Sequence, residues 1–381
     1  MRKKINRNVV ILGFVSFLND TSSEAIVRVL PLFLESIGAG GIYIGIIEGI
    51  AESTASLLKI FFGYYSDKFK NRKLFAFLGY GESTAIKCFL PFVHTPLSVL
   101  WVRALERVGK GIRTAPRDAL ISSYTTKENR GLYFGFHRAL DTSGAVVGPL
   151  FAMWVLHKFG TTQYTTLFKF AIIPAIFATI LVLFVKEKKL KETIKKAEQK
   201  SRFSLGKKFY YYIFVVTLFT IGNSSDAFLT IYAGTFGLLS ITILFLWAIH
   251  NITYAALSTP LGALSDRIGR KPTIIIGYAL YGLSYLGFAL TKNASLLYLL
   301  FSLYGIYYAF TEGAQKAFVS DLVSRESVRG TAYGIYNFGV GIMAFPASLI
   351  AGILYQFVSP HMPFYFGGII AAISAFLMLF V

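Results

Sequence analysis

Seven ionisable residues stand at helical spacing inside one apolar stretch: Arg103, Glu106, Arg107, Lys110, Arg113, Arg117 and Asp118. At about 100° per residue they fall within an arc of about 140°, while Trp101, Leu105, Val108 and Ile112 face the other way. The stripe climbs about 22 Å, most of a hydrocarbon layer about 30 Å thick. Insertion scales charge about 2.5–3.5 kcal/mol for one such residue at mid-membrane, so the stripe must meet partners or water rather than lipid. Two chemistries fit. A carboxylate beside an arginine can load and release a proton, and its neutralisation frees the basic partner. Guanidinium groups lining a cleft can instead hold a carboxylate or phosphate bidentately.

Partners are available on neighbouring stretches. Asp20, Glu24 and Arg28 repeat every four residues, as do Glu48 and Glu52, which puts each set on one side of its helix. Chain direction places Arg28, Glu48, Glu52, Arg103 and Arg107 toward the outer half and Asp20, Glu24, Lys110 and Arg113 near the middle. A buried ion-pair network that only fixes the first half is the plainer reading. Against it, the second half offers chiefly Asp226, Glu312 and Lys316, although a structural need should be shared by both halves. An offset of 199 residues pairs Arg113 with Glu312, opposite charges that could meet across a cleft.

The elements that must carry these residues are membrane helices. Of 381 residues 55% are hydrophobic and only 15% charged, with a mean hydropathy of +0.58; soluble domains carry about a quarter charged residues. Apolar windows recur twelve times, at 9–36, 42–65, 73–92, 96–124, 129–158, 164–186, 207–235, 238–265, 271–291, 294–323, 328–358 and 361–381. The first is too long for a signal peptide and lacks a small-residue cleavage site, so it reads as a retained helix. The net charge of +19 concentrates at the N-terminus, after the second and eighth spans, and in the stretch 186–208, which holds ten Lys or Arg. These all fall on one side of a twelve-helix path, which points to a positive-inside membrane protein with both termini cytoplasmic and argues against a nucleic-acid partner. A single cysteine, Cys88, excludes an intrachain disulfide and gives no metal-ligand spacing.

The chain is duplicated. Gly63-Tyr64-Tyr65-Ser66-Asp67-Lys68 recurs 199 residues on as Gly262-Ala263-Leu264-Ser265-Asp266-Arg267, and Arg130-Gly131 matches Arg329-Gly330 at the same offset. Ser22-Ser23-Glu24-Ala25 returns as Ser224-Ser225-Asp226-Ala227 at an offset of 202, which predicts an external loop three residues shorter in the second half. The fold class expected is all-α: twelve transmembrane helices in two pseudo-symmetric six-helix bundles, at 1–186 and 207–381, joined by a cytoplasmic linker at 187–206. Parallel repeats of this kind place a site at their interface near the bilayer midplane.

These loops resemble the signature between helices 2 and 3 of the major facilitator superfamily. The second copy, Gly262 to Lys271, matches in full; the first has Lys70 and Asn71 where Gly269 and Arg270 stand, which suggests a left-handed turn shifted onto Asn71. The resemblance covers the whole chain and is closest to the twelve-helix, drug-exporter-like branch, including a prokaryotic group with the stretch Gly109 to Asp118. It implies a cytoplasmic gate built from Gly63, Asp67, Arg72, Arg117, Asp118, Arg130, Gly262, Asp266, Arg267, Gly269, Arg270 and Lys316. In that gate Asp67 and Asp266 would meet the N-termini of the eleventh and fifth spans, and Asp118 would pair with Arg72. Arg103, Glu106 and Gly109 resemble a helix 4 motif implicated in proton coupling, although Arg107 replaces its first glycine. Gly144, Gly148 and Pro149 resemble an exporter motif of small residues and a bend. His137, Arg138 and Asp141 are expected in the cytoplasmic half of the fifth span, with His137 in a gate hydrogen bond. Lys59 and Lys87 are expected to snorkel, and Tyr64, Tyr80, Tyr232 and Tyr304 to serve packing or interface anchoring.

The reading that follows is a secondary active transporter working by alternating access, a proton-coupled exporter of a small organic molecule. Its proton carriers would come from Asp20, Glu24, Glu48, Glu52 and Glu106. The alternative is an organic-anion carrier using Arg103, Arg107, Lys110 and Arg113; a transporter-like sensor is a remote third. Neither a phosphate loop, a metal set nor a nucleophile and base is present in the sequence, so no enzyme activity, metal or cofactor is expected. The partners expected are membrane lipids, protons and the substrate, and the protein is expected to be a monomer.

Overall fold

A computed structural model describes residues 6–69, 71–125, 130–187, 205–323 and 329–381. The order is α1 (Arg7–Val27), α2 (Leu30–Ser36), α3 (Gly41–Lys68), α4 (Arg72–Lys87), α5 (Pro96–Ser123), α6 (Arg130–Phe159), α7 (Tyr164–Leu183), α8 (Lys207–Gly222), α9 (Ala227–Gly234), α10 (Ser240–Ile268), α11 (Arg270–Leu290), α12 (Leu296–Asp321), α13 (Arg329–Phe357) and α14 (Met362–Met378). A short 3-10 turn, Leu90–Phe92, follows α4. Each of the twelve spans read from the sequence is present. The first is broken into α1 and α2, and the seventh into α8 and α9.

Among the described residues, seven spans are long and apolar enough to cross a membrane by composition alone. Of the other five, α3, α5 and α12 are long enough but carry charges, and α4 and α14 are short, at 16 and 17 residues. On α5 the stripe is buried at Arg103, Glu106, Arg107 and Arg113, whereas Trp101 and Leu105 are exposed on the lipid side.

The breaks correct the expected loop lengths. The external loops are nearly equal, at 37–40 and 235–239. The extra residues of the first half lie instead in α1, which runs on past Ser22 to Val27, while α8 stops at Gly222, just before Ser224-Ser225. Pro31 near the start of α2 accompanies the first break, because a proline has no N–H to donate to the carbonyl four residues back.

The halves meet along α3 with α13 and along α6 with α10. Gly41, Gly45 and Gly49 form a ladder on α3. A Cβ on Gly45 would come 2.3 Å from the Ser348 carbonyl oxygen, and one on Gly352 would come 2.5 Å from that of Gly41. Small residues at a four-residue interval let two backbones touch, the usual way membrane helices approach closely. At the same end Tyr164 and Ser240 share a hydrogen bond at 2.8 Å, the Ile42 amide donates to Gln356 at 3.1 Å, and one continuous apolar core joins α2, α7, α9 and α10. At the opposite end, where α1 begins, α14 ends and Arg72, Lys73, Arg270 and Lys271 lie, Gly262, Gly313 and Gly334 have nothing within 4 Å of a would-be Cβ. Val9, Leu12, Ala76, Leu120 and Val182 there form an apolar cluster drawn from the first half alone.

The duplicated loops reach the same geometry by different means. Gly269 links α10 to α11 with φ of +96°, a left-handed conformation that favours glycine. Asn71 does not adopt that turn. Its φ is −130°, and its side chain caps α4 by accepting from the Leu74 amide at 3.1 Å. Ser66 and Ser265 each donate back to the carbonyl of Gly63 and Gly262, at 2.9 and 2.7 Å. Lys73 and Lys271 each donate to the last turn of the half's final helix, to Leu183 and Leu379, both at 2.7 Å. Glu187 accepts from the Arg72 amide at 2.6 Å, a carboxylate at the N-terminus of α4. Residues 188–204 of the expected linker, and the side chains of Asp67 and Arg130, lie outside the described residues.

Candidate functional site

A cavity of about 550 Å³ lies between the two halves. Asp20, Glu24, Arg28, Glu48, Glu52, Arg107, Lys110, Asp226 and Glu312 of the residues picked out from the sequence line it, joined by Arg138, Asp141, His250, Asn251 and Tyr254. Seven carboxylates therefore face four basic side chains around one space.

The stripe on α5 divides. Arg103 turns to α3 and donates to both oxygens of Glu48, at 3.0 and 3.1 Å, and to Glu106 at 3.2 Å; both side chains of the Arg103–Glu106 pair are 4% exposed. Arg107 approaches Glu52 at 3.9 Å and Glu106 at 3.7 Å. Arg113 turns to α4, where it donates to Ser83 at 2.6 Å and stacks over the Tyr80 ring at 4.8 Å. It does not reach Glu312, so the pairing expected from the 199-residue offset is not made: one residue is packed inside the first half and the other faces α6. Arg117 bonds Asp118 at 3.0 Å and Ser16 at 3.1 Å and lies 3.8 Å from Asp141. Lys110 reaches the cavity with no ion pair within 4.0 Å among the described residues.

Two arginines cross the interface. Arg28, at the end of α1, donates from Nε to Glu24 at 2.8 Å and from Nη1 to Asp226 at 3.0 Å, at the start of α9. Its guanidinium lies 3.8 Å from the centre of the Trp247 ring. Arg138 on α6 donates to both oxygens of Glu312 on α12, at 2.8 and 2.9 Å, and to Tyr254 on α10 at 2.8 Å. Its Nη1 also reaches Asp141 at 3.3 Å. Tyr254 in turn donates to Glu312, and Lys316 lies 3.1 Å from the same carboxylate.

Other expectations change on contact with the structure. Lys87 is buried rather than snorkelling: its Nζ donates to Ser22 and Ser23 on α1, at 3.2 and 2.8 Å. His137 is hydrogen-bonded to Ser16 at 2.9 Å, inside the first half. Asp266 does not reach the N-terminus of α6; it pairs with Arg270, which also lies 3.7 Å from Asp321, so this loop ties α10 and α11 to α12 within its own half. Arg267 at the end of α10 is exposed. Arg72 Nη1 donates to the carbonyl of Ala119, next to Asp118, at 3.5 Å. Gly144 and Gly148 serve packing: Cβ atoms there would come 2.4 Å from the Phe17 carbonyl oxygen and 2.7 Å from Glu24 Cβ, and Pro149 lies inside α6.

Sequence reasoning did not weigh Trp247, His250 or Tyr254, nor Arg138 and Asp141 as cavity groups. The last two carried the signal used elsewhere, opposite charges three residues apart inside an apolar span. The ladder Gly41, Gly45, Gly49 was equally visible as a four-residue repeat.

The description "Major Facilitator Superfamily" fits residues 12–251 and 228–381. An uncharacterised MFS-type transporter of Methanocaldococcus jannaschii is 41% identical over all of this chain and 96% of its own length. The multi-drug resistance efflux pump PmrA of Streptococcus pneumoniae is 25% identical over 47% of the chain and 45% of the pump. A crystal structure of a point variant of the nucleoside transporter NupG superposes with a TM-score of 0.78 at 17% identity, covering 98% of this chain and 99% of that one, a likeness of fold. With a duplicated bundle, a charged cavity at its interface and family similarity across its length, the chain belongs to the major facilitator superfamily and is a membrane transporter, not an enzyme.

Proposed function

We propose that this protein is a proton-coupled exporter of a small organic molecule working by alternating access in the plasma membrane, with the basic loops and both termini in the cytoplasm. One observation carries the reading: two arginines, Arg28 and Arg138, tie the halves together through Asp226 and Glu312 around a shared cavity. Protonating a carboxylate in either pair removes the charge that holds its arginine and so shifts the balance between inward-open and outward-open states. Positive-inside charge makes the closed end external and the basic end cytoplasmic, so this is an inward-facing state. The partial likeness to a multi-drug efflux pump favours export.

The carboxylates best placed to carry protons are therefore Asp20, Glu24, Asp141, Asp226 and Glu312. Glu48 and Glu106 hold Arg103 within the first half, a structural role. The organic-anion alternative is weakened for the same reason, since of its four basic residues only Arg107 and Lys110 face the cavity. The test is flux in proteoliposomes under an imposed pH gradient, with Asp20, Glu24, Asp141, Asp226 and Glu312 each changed to its amide. Loss of gradient-driven flux in at least one, with exchange at equal pH retained, is expected. Intact gradient-driven flux in all five would sink the reading.

A further inference from the structure

The surroundings of Arg28 form a site for a cation, filled by the protein itself. Two carboxylates grip the guanidinium, Glu24 at 2.8 Å and Asp226 at 3.0 Å, and the Trp247 ring lies beneath it at 3.8 Å. A carboxylate pair over an indole face is an established way to recognise guanidinium and ammonium groups. The parts are held in advance. Trp247 is fully buried and its Nε1 donates to Thr230 at 2.9 Å, which fixes the ring plane, while the second oxygen of Asp226 accepts from Tyr304 at 2.8 Å.

A further observation points beyond Arg28. His250 lines the cavity beside Trp247, with ring centroids 5.2 Å apart, and is 4% exposed. Its Nδ1 has no hydrogen-bond partner among the described residues. A buried polar atom of this kind calls for a hydrogen-bond partner. Arg28 itself stands at the junction of α1 and α2.

We propose that Glu24, Asp226, Trp247 and His250 bind an organic cation bearing N–H donors, of guanidinium or primary ammonium type, and that Arg28 occupies this site until the cation displaces it. Binding would then exchange an internal tie between the halves for the ligand. The proposal rests on the transporter reading and names its substrate class.

The test uses full-length protein carrying Trp101→Phe and Trp154→Phe, which leaves Trp247 as the only one of the three tryptophans. Methylguanidinium is titrated at equilibrium while Trp247 fluorescence is followed, with urea as the neutral isostere and tetramethylammonium as the cation without N–H. A saturable change with methylguanidinium is expected, absent with urea and weaker with tetramethylammonium. Removing the tethered competitor in Arg28→Ala should lower the Kd at least tenfold, and Asp226→Asn should abolish binding. Arg28→Lys, which keeps the charge and guards against misfolding of the alanine variant, should fall between. An equal Kd in wild type and Arg28→Ala, an equal response to urea, or no response in any variant would overturn the proposal. No gradient enters the measurement, so lost binding beside intact pH-driven flux condemns this inference alone, and retained binding without such flux condemns only the proton coupling.

Discussion

Arg28 donates to Asp226 at 3.0 Å, and the two residues stand at the breaks in the first and seventh spans, although the repeat aligns Asp226 with Glu24. Each charge suits its place: a cation at the C-terminus of α1 and an anion at the N-terminus of α9 are both favoured by the helix dipoles. The contact therefore joins the halves where each departs from a regular helix. Asp226→Asn removes the ionic part while keeping the shape. Spin labels on the loops 37–40 and 235–239 should show a longer or broader distance distribution in this variant than in wild type. An unchanged distribution would mean that apolar packing alone closes this end.

The Arg103–Glu48–Glu106 cluster makes the opposite prediction. Its members are buried within the first half, and removing one partner leaves a charge uncompensated. Arg103→Ala should destabilise the protein by about 3–5 kcal/mol, read as early unfolding in detergent. The restored carboxylate partners of Arg103→Lys should recover part of the loss, without the bidentate geometry.

The glycine ladder gives a steric test. Valine at Gly45 would drive its Cβ into the Ser348 backbone carbonyl, 2.3 Å away, and a backbone atom cannot swing aside. Gly45→Val should reduce transport at least tenfold while membrane insertion and expression persist. Gly262→Ala, where a Cβ meets nothing within 4 Å, should leave stability within about 0.5 kcal/mol of wild type.

Lys73 and Lys271 bond the last turns of α7 and α14 in matching fashion. Each alanine variant should lose about 0.3–1 kcal/mol, the range of a cation at a helix C-terminus. Because the two sites lie in different halves, the double variant should show the sum in a thermal unfolding series. A marked departure from additivity would imply that the two ends communicate.

Much of this architecture is legible in the sequence because a bilayer imposes long apolar runs, and seven of the twelve spans follow from length and composition alone. The charged spans are legible too, since polar stripes on α3 and α5 require partners. What does not follow from spacing is which partner. Arg113 and Glu312 match by the repeat offset, yet the fold turns Arg113 onto Tyr80 and gives Glu312 to Arg138. Nor does a repeat guarantee equal backbones. Asn71 and Gly269 stand in equivalent loops, but one caps with its side chain and the other bends through a positive φ. The breaks beside Arg28 and Asp226 were the least visible, since only the first has a proline nearby and the second rests on short polar residues that also occur inside intact helices.

The backbone contact of α3 with α13 has a mechanical consequence. Where Gly41, Gly45 and Gly352 bring backbone against backbone, few side chains must find new rotamers when the two surfaces part, Phe345, Tyr355 and Ser53 being among those that do. Resistance to motion would then be concentrated in the ionic ties around the cavity, where a proton or a ligand can reach it.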